Sequence, residues 1–398
     1  MTKTQSRGSP LEVFLAFLAL GVTSFGGPIA HLAYFRTEFV ERRGWLTEHA
    51  YADLVALCQF LPGPASSQVG FALGLYRAGP LGAACAWTAF TLPSALLLVI
   101  FAYGLDVFSG PLAIGLLHGL KIVAVAVIAH ALWCMAFALC PDIRRAFIAI
   151  GAALIVVFAK GPLGQVAAIT FGIFAGFFLC KVNDREAINT GLQFRVSKRA
   201  ANVALLIFLA FLVGLPALAS VSAMQSAALM DSFYRSGALV FGGGHVVLPL
   251  LEAEVVQSGW ITPDQFLAGY GAAQAVPGPL FTFAAYLGAV IGQGNITTAV
   301  ITLLMIFAPG LLLLTGALYY WNHFKKWNSV GALIKGANAA VVGILAAALY
   351  DPVWTSAIVG PYELVLAVLG FLLLSLWKLP AWIVVVLLAA AGMFITVL

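Results

Sequence analysis

Five apolar runs, 203–218, 296–319, 334–349, 357–376 and 382–397, each approach or reach the roughly 20 residues that an α-helix needs to cross a bilayer core. Only 9% of residues are charged and mean hydropathy is +1.03. A soluble domain carries about 25% charged residues, so this apolar surplus has no core to hide in. A transmembrane β-barrel would alternate apolar and polar residues in short segments, and these runs are solidly apolar. The expectation is an all-α polytopic membrane protein. Residues 1–10 are polar and weakly basic, with no small-residue cleavage site after the first apolar run. That run is therefore expected to be a transmembrane helix and not a removable signal.

Three motifs occur twice, in one order, at an offset of roughly 215 residues. Phe25-Gly26-Gly27-Pro28 is echoed by Phe241-Gly242-Gly243-Gly244, and Gly44-Trp45-Leu46-Thr47 by Gly259-Trp260-Ile261-Thr262. Gln59-Phe60-Leu61-Pro62-Gly63-Pro64 returns as Gln274-Ala275-Val276-Pro277-Gly278-Pro279. We read a first repeat at 1–180, a cytoplasmic linker with a connecting transmembrane helix at 181–227, and a second repeat at 228–398. Each repeat holds six hydrophobic segments, at 11–35, 50–76, 80–104, 112–139, 145–158 and 162–180, then 228–251, 264–292, 296–321, 330–349, 357–376 and 380–397. With 203–219 between them, the expectation is about 13 crossings and two inverted repeats with Gly/Pro-broken helices.

Loop charges support inversion under the positive-inside rule. The loop at Asp106 lacks Lys and Arg, whereas its counterpart carries Lys325 and Lys326; the loop with Arg144 and Arg145 matches one with only Asp351. Lys181, Arg185, Arg195, Lys198 and Arg199 mark the linker as cytoplasmic, which puts the N-terminus inside and the C-terminus outside. One loop disagrees. Arg36, Arg42 and Arg43 would fall outside, and Glu252, Glu254 and Asp264 inside. Re-entrant Pro-Gly-Pro segments would correct both loops, lower the count, and leave 203–219 unable to cross simply.

Pro-Gly-Pro and Gly-Gly inside apolar segments interrupt helices, because proline removes a donor and glycine accepts the released dihedrals. Pro64 and Pro279 suit the start of a new half-helix. Such backbone survives at membrane depth only where it faces protein or a water-filled cavity, and half-helix N-termini favour anions. The candidate oxyanion site comprises Gly26, Gly27, Gln59, Pro62, Gly63, Pro64, Ser66 and Ser67, with Gln68 beside them, and Gly242, Gly243, His245, Gln274, Pro277, Gly278, Pro279 and Thr282. Lys121 is added as a counter-charge, with Lys335 in the matched helix; His31, His118 and His130 are candidates for proton coupling. Lysines at helix ends also snorkel to headgroups, and Arg36, Arg42, Arg43 and Arg77 serve either an anion funnel or orientation.

These paired motifs resemble the chromate ion transporter family over essentially the whole chain. The resemblance implies chromate efflux across a bacterial inner membrane, conferring chromate resistance, with sulfate as a competing anion of like shape and charge. Pro28 standing where the second half has Gly244 is a departure from symmetry.

An enzyme is the main rival class, but no nucleophile elbow, HExxH, paired transmembrane aspartates or P-loop occurs. A channel fits interrupted inverted repeats less well than alternating access does, and within transporters the alternative is a sulfate or other oxyanion carrier in which chromate is adventitious. The five cysteines are scattered without CxxC spacing, so neither metal nor cofactor is expected. The partners expected are chromate or sulfate as cargo, the lipid bilayer and a second copy of the chain, with no nucleic acid.

Overall fold

The computed structural model describes residues 8–107, 110–159, 161–180, 194, 196–222, 224–241, 244–324 and 328–397. Gly242, Gly243, Lys181, Arg185, Arg195, Lys325 and Lys326 lie outside them. The described chain is helical, with α1 (Pro10–Thr23), α2 (Gly27–Phe35), α3 (Glu48–Phe60), α4 (Ala65–Val107), α5 (Pro111–Leu139), α6 (Ile143–Phe158) and α7 (Pro162–Leu179) in the first half. The connecting helix is α8 (Lys198–Val221). The second half holds α9 (Gln225–Ala238), α10 (Val247–Val255), α11 (Pro263–Ala273), α12 (Phe283–Ile291), α13 (Ile296–Phe324), α14 (Asn328–Ala348), the single turn α15 (Thr355–Ala357), α16 (Pro361–Ser375) and α17 (Ala381–Val397). Among the described residues, six helical stretches are long and apolar enough to cross a membrane.

One of those six, Ala65–Gly104, is not a single straight helix. The backbone leaves helical geometry at Ala78 and Gly79. A Cβ added at Gly74 would stand 2.3 Å from the Gly82 carbonyl oxygen, although eight residues of continuous helix would separate them by about 12 Å. The first limb of α4 (65–77) therefore folds back on the second (80–107).

The same reversal explains the broken segments. Phe17 on α1 packs against Phe35 and Phe39, with ring centroids 5.5 and 4.7 Å apart, so the chain doubles back at residues 24–26. Arg77, ending the first limb of α4, covers the Trp45 ring just before α3. In the second half the Tyr286 hydroxyl on α12 donates to the Gln265 carbonyl at the start of α11, and Phe266 meets Phe283. Arg235 on α9 pairs with Glu254 on α10 at 3.0 Å. Segments 11–35, 50–76, 228–251 and 264–292, expected as crossings, are each two short helices folded into a hairpin. Each limb is a separate helix of 9 to 14 residues that packs back against its partner, so neither limb continues the other.

The repeated Gly-Trp-(Leu/Ile)-Thr motif starts the second hairpin of each half. Thr47 and Thr262 cap α3 and α11 by accepting from Ala50 and Gln265 backbone N–H groups, with a full capping box at Thr262. Outside the membrane segments, Asp142 caps α6, and the Arg145 backbone N–H holds its carboxyl below the usual range.

The two halves interlock. α5 packs along α17, and α7 along α14. Both contacts are built on glycine, at Gly119 against Gly392 and at Gly176 against Gly336. A Cβ at Gly336 would lie 2.0 Å from the Gly172 carbonyl oxygen, so Gly336→Val should destabilise by ~1–3 kcal/mol through overpacking. A lowered thermal midpoint in detergent is the expected result, and an unchanged midpoint would contradict this helix spacing.

Relative direction follows from two further contacts. The Tyr103 hydroxyl, near the far end of α4, donates to the Gly294 carbonyl in the turn that matches the Gly79 turn. At its other end α13 touches α8, where the Tyr320 hydroxyl donates to Asn202. The two equivalent turns, at Gly79 and Gly294, thus sit at opposite ends of α4's second limb.

Candidate oxyanion site at the hairpin tips

The four hairpin tips meet between the halves, and the contacts are reciprocal. The Gly63 N–H donates to the Val240 carbonyl at 2.7 Å, and the Gly278 N–H donates to the Ser24 carbonyl at 2.9 Å. Gly63 matches Gly278 in the repeat, and Ser24 matches Val240, so one bond is the image of the other. Pro28 and its counterpart Gly244 face each other, with a Cβ at Gly244 falling 3.0 Å from the Pro28 ring. Equivalent residues of the two halves thus touch each other at this junction.

Each Pro-Gly-Pro tip rests on the long helix of the opposite half. A Cβ at Gly63 would be 2.9 Å from Gly310 Cα on α13, and one at Gly278 would be 2.8 Å from Ser94 Oγ on α4. Both glycines have left-handed φ, +116° and +99°, a region that other residues enter only with strain. Pro64 and Pro279 immediately precede the helical turns that begin at Ala65 and Leu280. Four helix starts, those of α2, α4, α10 and α12 with its leading turn, therefore lie at one junction.

Side chains around the first-half tips form a chain of neutral donors. His31 is buried, its Nε2 3.2 Å from the Ser24 carbonyl and its Nδ1 3.4 Å from Ser66 Oγ. The carbonyl can only accept, so Nε2 carries the proton and Ser66 donates to Nδ1. Ser94 donates to the Thr91 carbonyl, and Gln68 Nε2 donates to the Pro62 and Gly310 carbonyls, both at 3.0 Å. Several buried polar atoms have no protein partner: Ser24 Oγ, Ser67 Oγ, Thr91 Oγ1, Gln68 Oε1 and Gln274 Nε2. Buried polar groups are normally paired, and this concentration at one junction is what a polar ligand would satisfy.

The other expected residues divide. Gly26 begins α2 from a left-handed conformation beside Gly27. Thr282 is fully buried and donates to the Pro279 carbonyl at 2.7 Å, which secures the break. His245 meets the Tyr270 hydroxyl at 2.8 Å. Gln59 is exposed, unlike its counterpart Gln274, and Pro277 is buried in the second tip. Lys121 is not at the junction: its Nζ pairs with Asp264 at 2.9 Å, at the opposite end of α11, about 15 Å from the tip. Lys335 lies close enough to Cys180, at the end of α7, to act on it electrostatically. His118 pairs with Glu363, and His130 lies 3.6 Å from Cys134 Sγ. Arg36, Arg42 and Arg43 are paired with Glu38, Glu41 and Glu48, and Arg77 with Glu12, at the base of the first-half hairpins.

Sequence reasoning missed Ser24, Thr91 and Ser94. A fourth echo would have found the last: Pro93-Ser94 and Pro309-Gly310 recur at the same offset, and these are the surfaces on which the opposite tips rest.

The sequence pattern of the chromate transporter family matches this chain twice, at residues 11–177 and 227–393. The chain belongs to the chromate transporter family. The transporter is 27% identical to a probable chromate transport protein of Synechococcus elongatus, over 94% of its own length and 93% of the relative's. It is 28% identical to a chromate transport protein of Pseudomonas aeruginosa, over 95% and 90%, and 25% identical to one of Cupriavidus metallidurans, over 92% and 88%. No solved structure matches the transporter. Its several apolar helices fit a multi-pass membrane protein, and the two matched stretches each contain one complete set of paired tips.

Proposed function

We propose that this chain is a secondary transporter that exports chromate across the bacterial inner membrane, binding the dianion at the junction of the four hairpin tips. The observation that carries the site is the meeting of four helix starts with unpaired hydroxyl and amide groups. Each helix N-terminus favours an anion by about 0.3–2 kcal/mol. A set of neutral donors without a lysine or arginine holds a dianion reversibly, as transport requires. Sulfate, of the same shape and charge, is the natural competitor. Export suits an interior-negative membrane: the potential drives a dianion outwards by about 4–5 kcal/mol per 100 mV.

The proposed topology is a pair of inverted repeats, 1–180 and 228–398, joined through 181–227. Each half contributes two re-entrant hairpins and four crossings, and α8 crosses once between them, giving nine crossings. The opposite placement of the Gly79 and Gly294 turns supports inversion. With all four broken segments returning to their own side, Arg36, Arg42 and Arg43 join the cytoplasmic linker and N-terminus, and Glu252, Glu254 and Asp264 fall outside with the C-terminus. The positive-inside rule then holds at every loop cited. The expectation that re-entrance would stop 203–219 from crossing is also revised, because two hairpins per half, not one, preserve the parity.

Topology is tested with single cysteines at Arg42 and Ser258 in a chain lacking its five native cysteines. Nine crossings predict labelling by an impermeant reagent at 42 from the cytoplasm and at 258 from the periplasm; thirteen predict the reverse. Function is tested by uptake of labelled chromate into everted vesicles. Accumulation that depends on the protein, responds to an imposed potential and is reduced by excess sulfate is expected, and no accumulation under any gradient would sink the assignment.

A further inference from the structure

On the second limb of α4, the Trp87 Nε1 is buried and has no hydrogen-bond partner among the described residues. An indole N–H can only donate, and a buried one normally finds an acceptor. One turn further along the same face stands Thr91, 1% exposed, whose hydroxyl is also without a partner. Other helical threonines of this chain satisfy themselves. Thr23, Thr170, Thr302 and Thr315 each donate to the carbonyl four residues back. Thr91 makes no such bond, so its hydroxyl and the Trp87 N–H are adjacent unmet groups.

Packing fixes where this pair stands. The Trp87 ring meets Phe307 on α13 edge-on, with centroids 5.5 Å apart. Phe307 in turn meets Phe281, just past the second Pro-Gly-Pro. Further along α4, Tyr103 reaches Gly294, just before α13 starts, so the two helices run antiparallel. From the level of Trp87 and Phe307, Ser94, the seat of the second tip, lies about 10 Å away in one direction. Gly310, the seat of the first tip, lies about 4–5 Å away in the other. The indole N–H and the Thr91 hydroxyl are therefore held between the two Pro-Gly-Pro tips.

The repeat shows that this polarity is not needed to build the helix crossing. At the offset that pairs Pro93-Ser94 with Pro309-Gly310, the counterparts of Trp87 and Thr91 are Leu303 and Phe307. Thus α13 presents apolar side chains where α4 presents an N–H and a hydroxyl. Packing alone needs only the tryptophan ring, and a buried N–H without an acceptor costs stability. An oxygen anion between the tips removes that cost. We propose that Trp87, with Thr91 beside it, donates directly to the transported oxyanion, and that the equivalent face of α13 contributes no such donor. The proposal rests on the anion site at the tips described above, and names the half of the protein that carries more of the binding.

The test reads the tryptophan itself. Indole ¹⁵N–¹H resonances of the purified full-length chain, which has nine tryptophans, are recorded in detergent while sulfate, a redox-inert tetrahedral dianion, or chromate replaces chloride at constant ionic strength. The resonance missing from Trp87→Phe identifies Trp87. In wild type it should move downfield, as a new hydrogen bond requires, until the anion saturates the protein. Trp87→Phe keeps an aromatic ring against Phe307 while removing the N–H. Its affinity for both anions should fall about 10–100-fold, the range for a hydrogen bond to a charged group. A Trp87 resonance unmoved at saturating anion would overturn the proposal, as would wild-type affinity in Trp87→Phe. If the anion moves the resonance but vesicles carry no chromate, the transport reading fails and the contact stands. Chromate flux through a protein whose Trp87 resonance ignores bound anion leaves the transport reading standing and removes the contact. Should Trp87→Phe not fold, Thr91→Val is read by affinity and thermal midpoint. Weakened binding with a level or raised midpoint is expected, and unchanged binding contradicts the proposal.

Discussion

Valine in place of Gly63 or of Gly278 should cut chromate flux by at least about 100-fold, with the protein still inserted and monodisperse. Strain at φ +116° or +99° costs a β-branched residue ~1–3 kcal/mol. The added side chain also meets Gly310 Cα at 2.9 Å or Ser94 Oγ at 2.8 Å. Neither contact has room to give without parting a tip from the long helix that carries it, and the bonds to Val240 and Ser24 part with it. Together these exceed the roughly 2.7 kcal/mol that 100-fold represents. Gly79→Val is the control. It too has positive φ, +71°, but nothing lies within 4 Å of its Cβ position, so backbone strain acts there without separating the tips. Flux in proteoliposomes should fall far less in Gly79→Val; equal losses in all three variants would mean that the tips have no special part.

The second large effect concerns atoms without partners. Ser67→Ala and Gln274→Leu should each weaken apparent chromate affinity by about 10–100-fold, the range expected for a hydrogen bond of ~1.5–3 kcal/mol to a charged group. Thermal stability in the absence of chromate should stay level or rise, since Ser67 Oγ and Gln274 Nε2 are buried without a partner and removing such an atom relieves a desolvation cost. The opposite signs on stability and affinity separate a ligand contact from a packing defect. A kinetic comparison of KM with thermal midpoint decides it: lower stability with unchanged KM would assign these groups to the scaffold. Gln59→Ala, at an exposed position, should leave KM nearly unchanged.

Much of this was legible in the sequence. Motifs recurring at a constant offset disclosed the repeat, and Gly-Gly with Pro-Gly-Pro at membrane depth disclosed the junction. The fold-back was not legible from hydropathy, because two half-length helices side by side are as apolar as one full crossing. Its signature lay in the loops: Arg36, Arg42 and Arg43 against Glu252, Glu254 and Asp264 were the charges that 13 crossings could not place. Lys121 illustrates a different limit. Helical register puts it on an apolar segment, but only tertiary packing brings Asp264 within 2.9 Å of it. Conversely, the pairing of Gly63 with Val240 and of Gly278 with Ser24 involves backbone atoms alone. Side-chain chemistry in the sequence carries no trace of such bonds, although the positions are exact counterparts in the repeat.

Equilibrium binding of labelled chromate to purified protein tests the central claim most directly. Wild type should bind one chromate per chain, displaced by excess sulfate, and Gly63→Val and Ser67→Ala should each lower the affinity at least about tenfold, the loss of 1.4 kcal/mol or more. Wild-type affinity and stoichiometry in both variants would contradict a site at the hairpin tips.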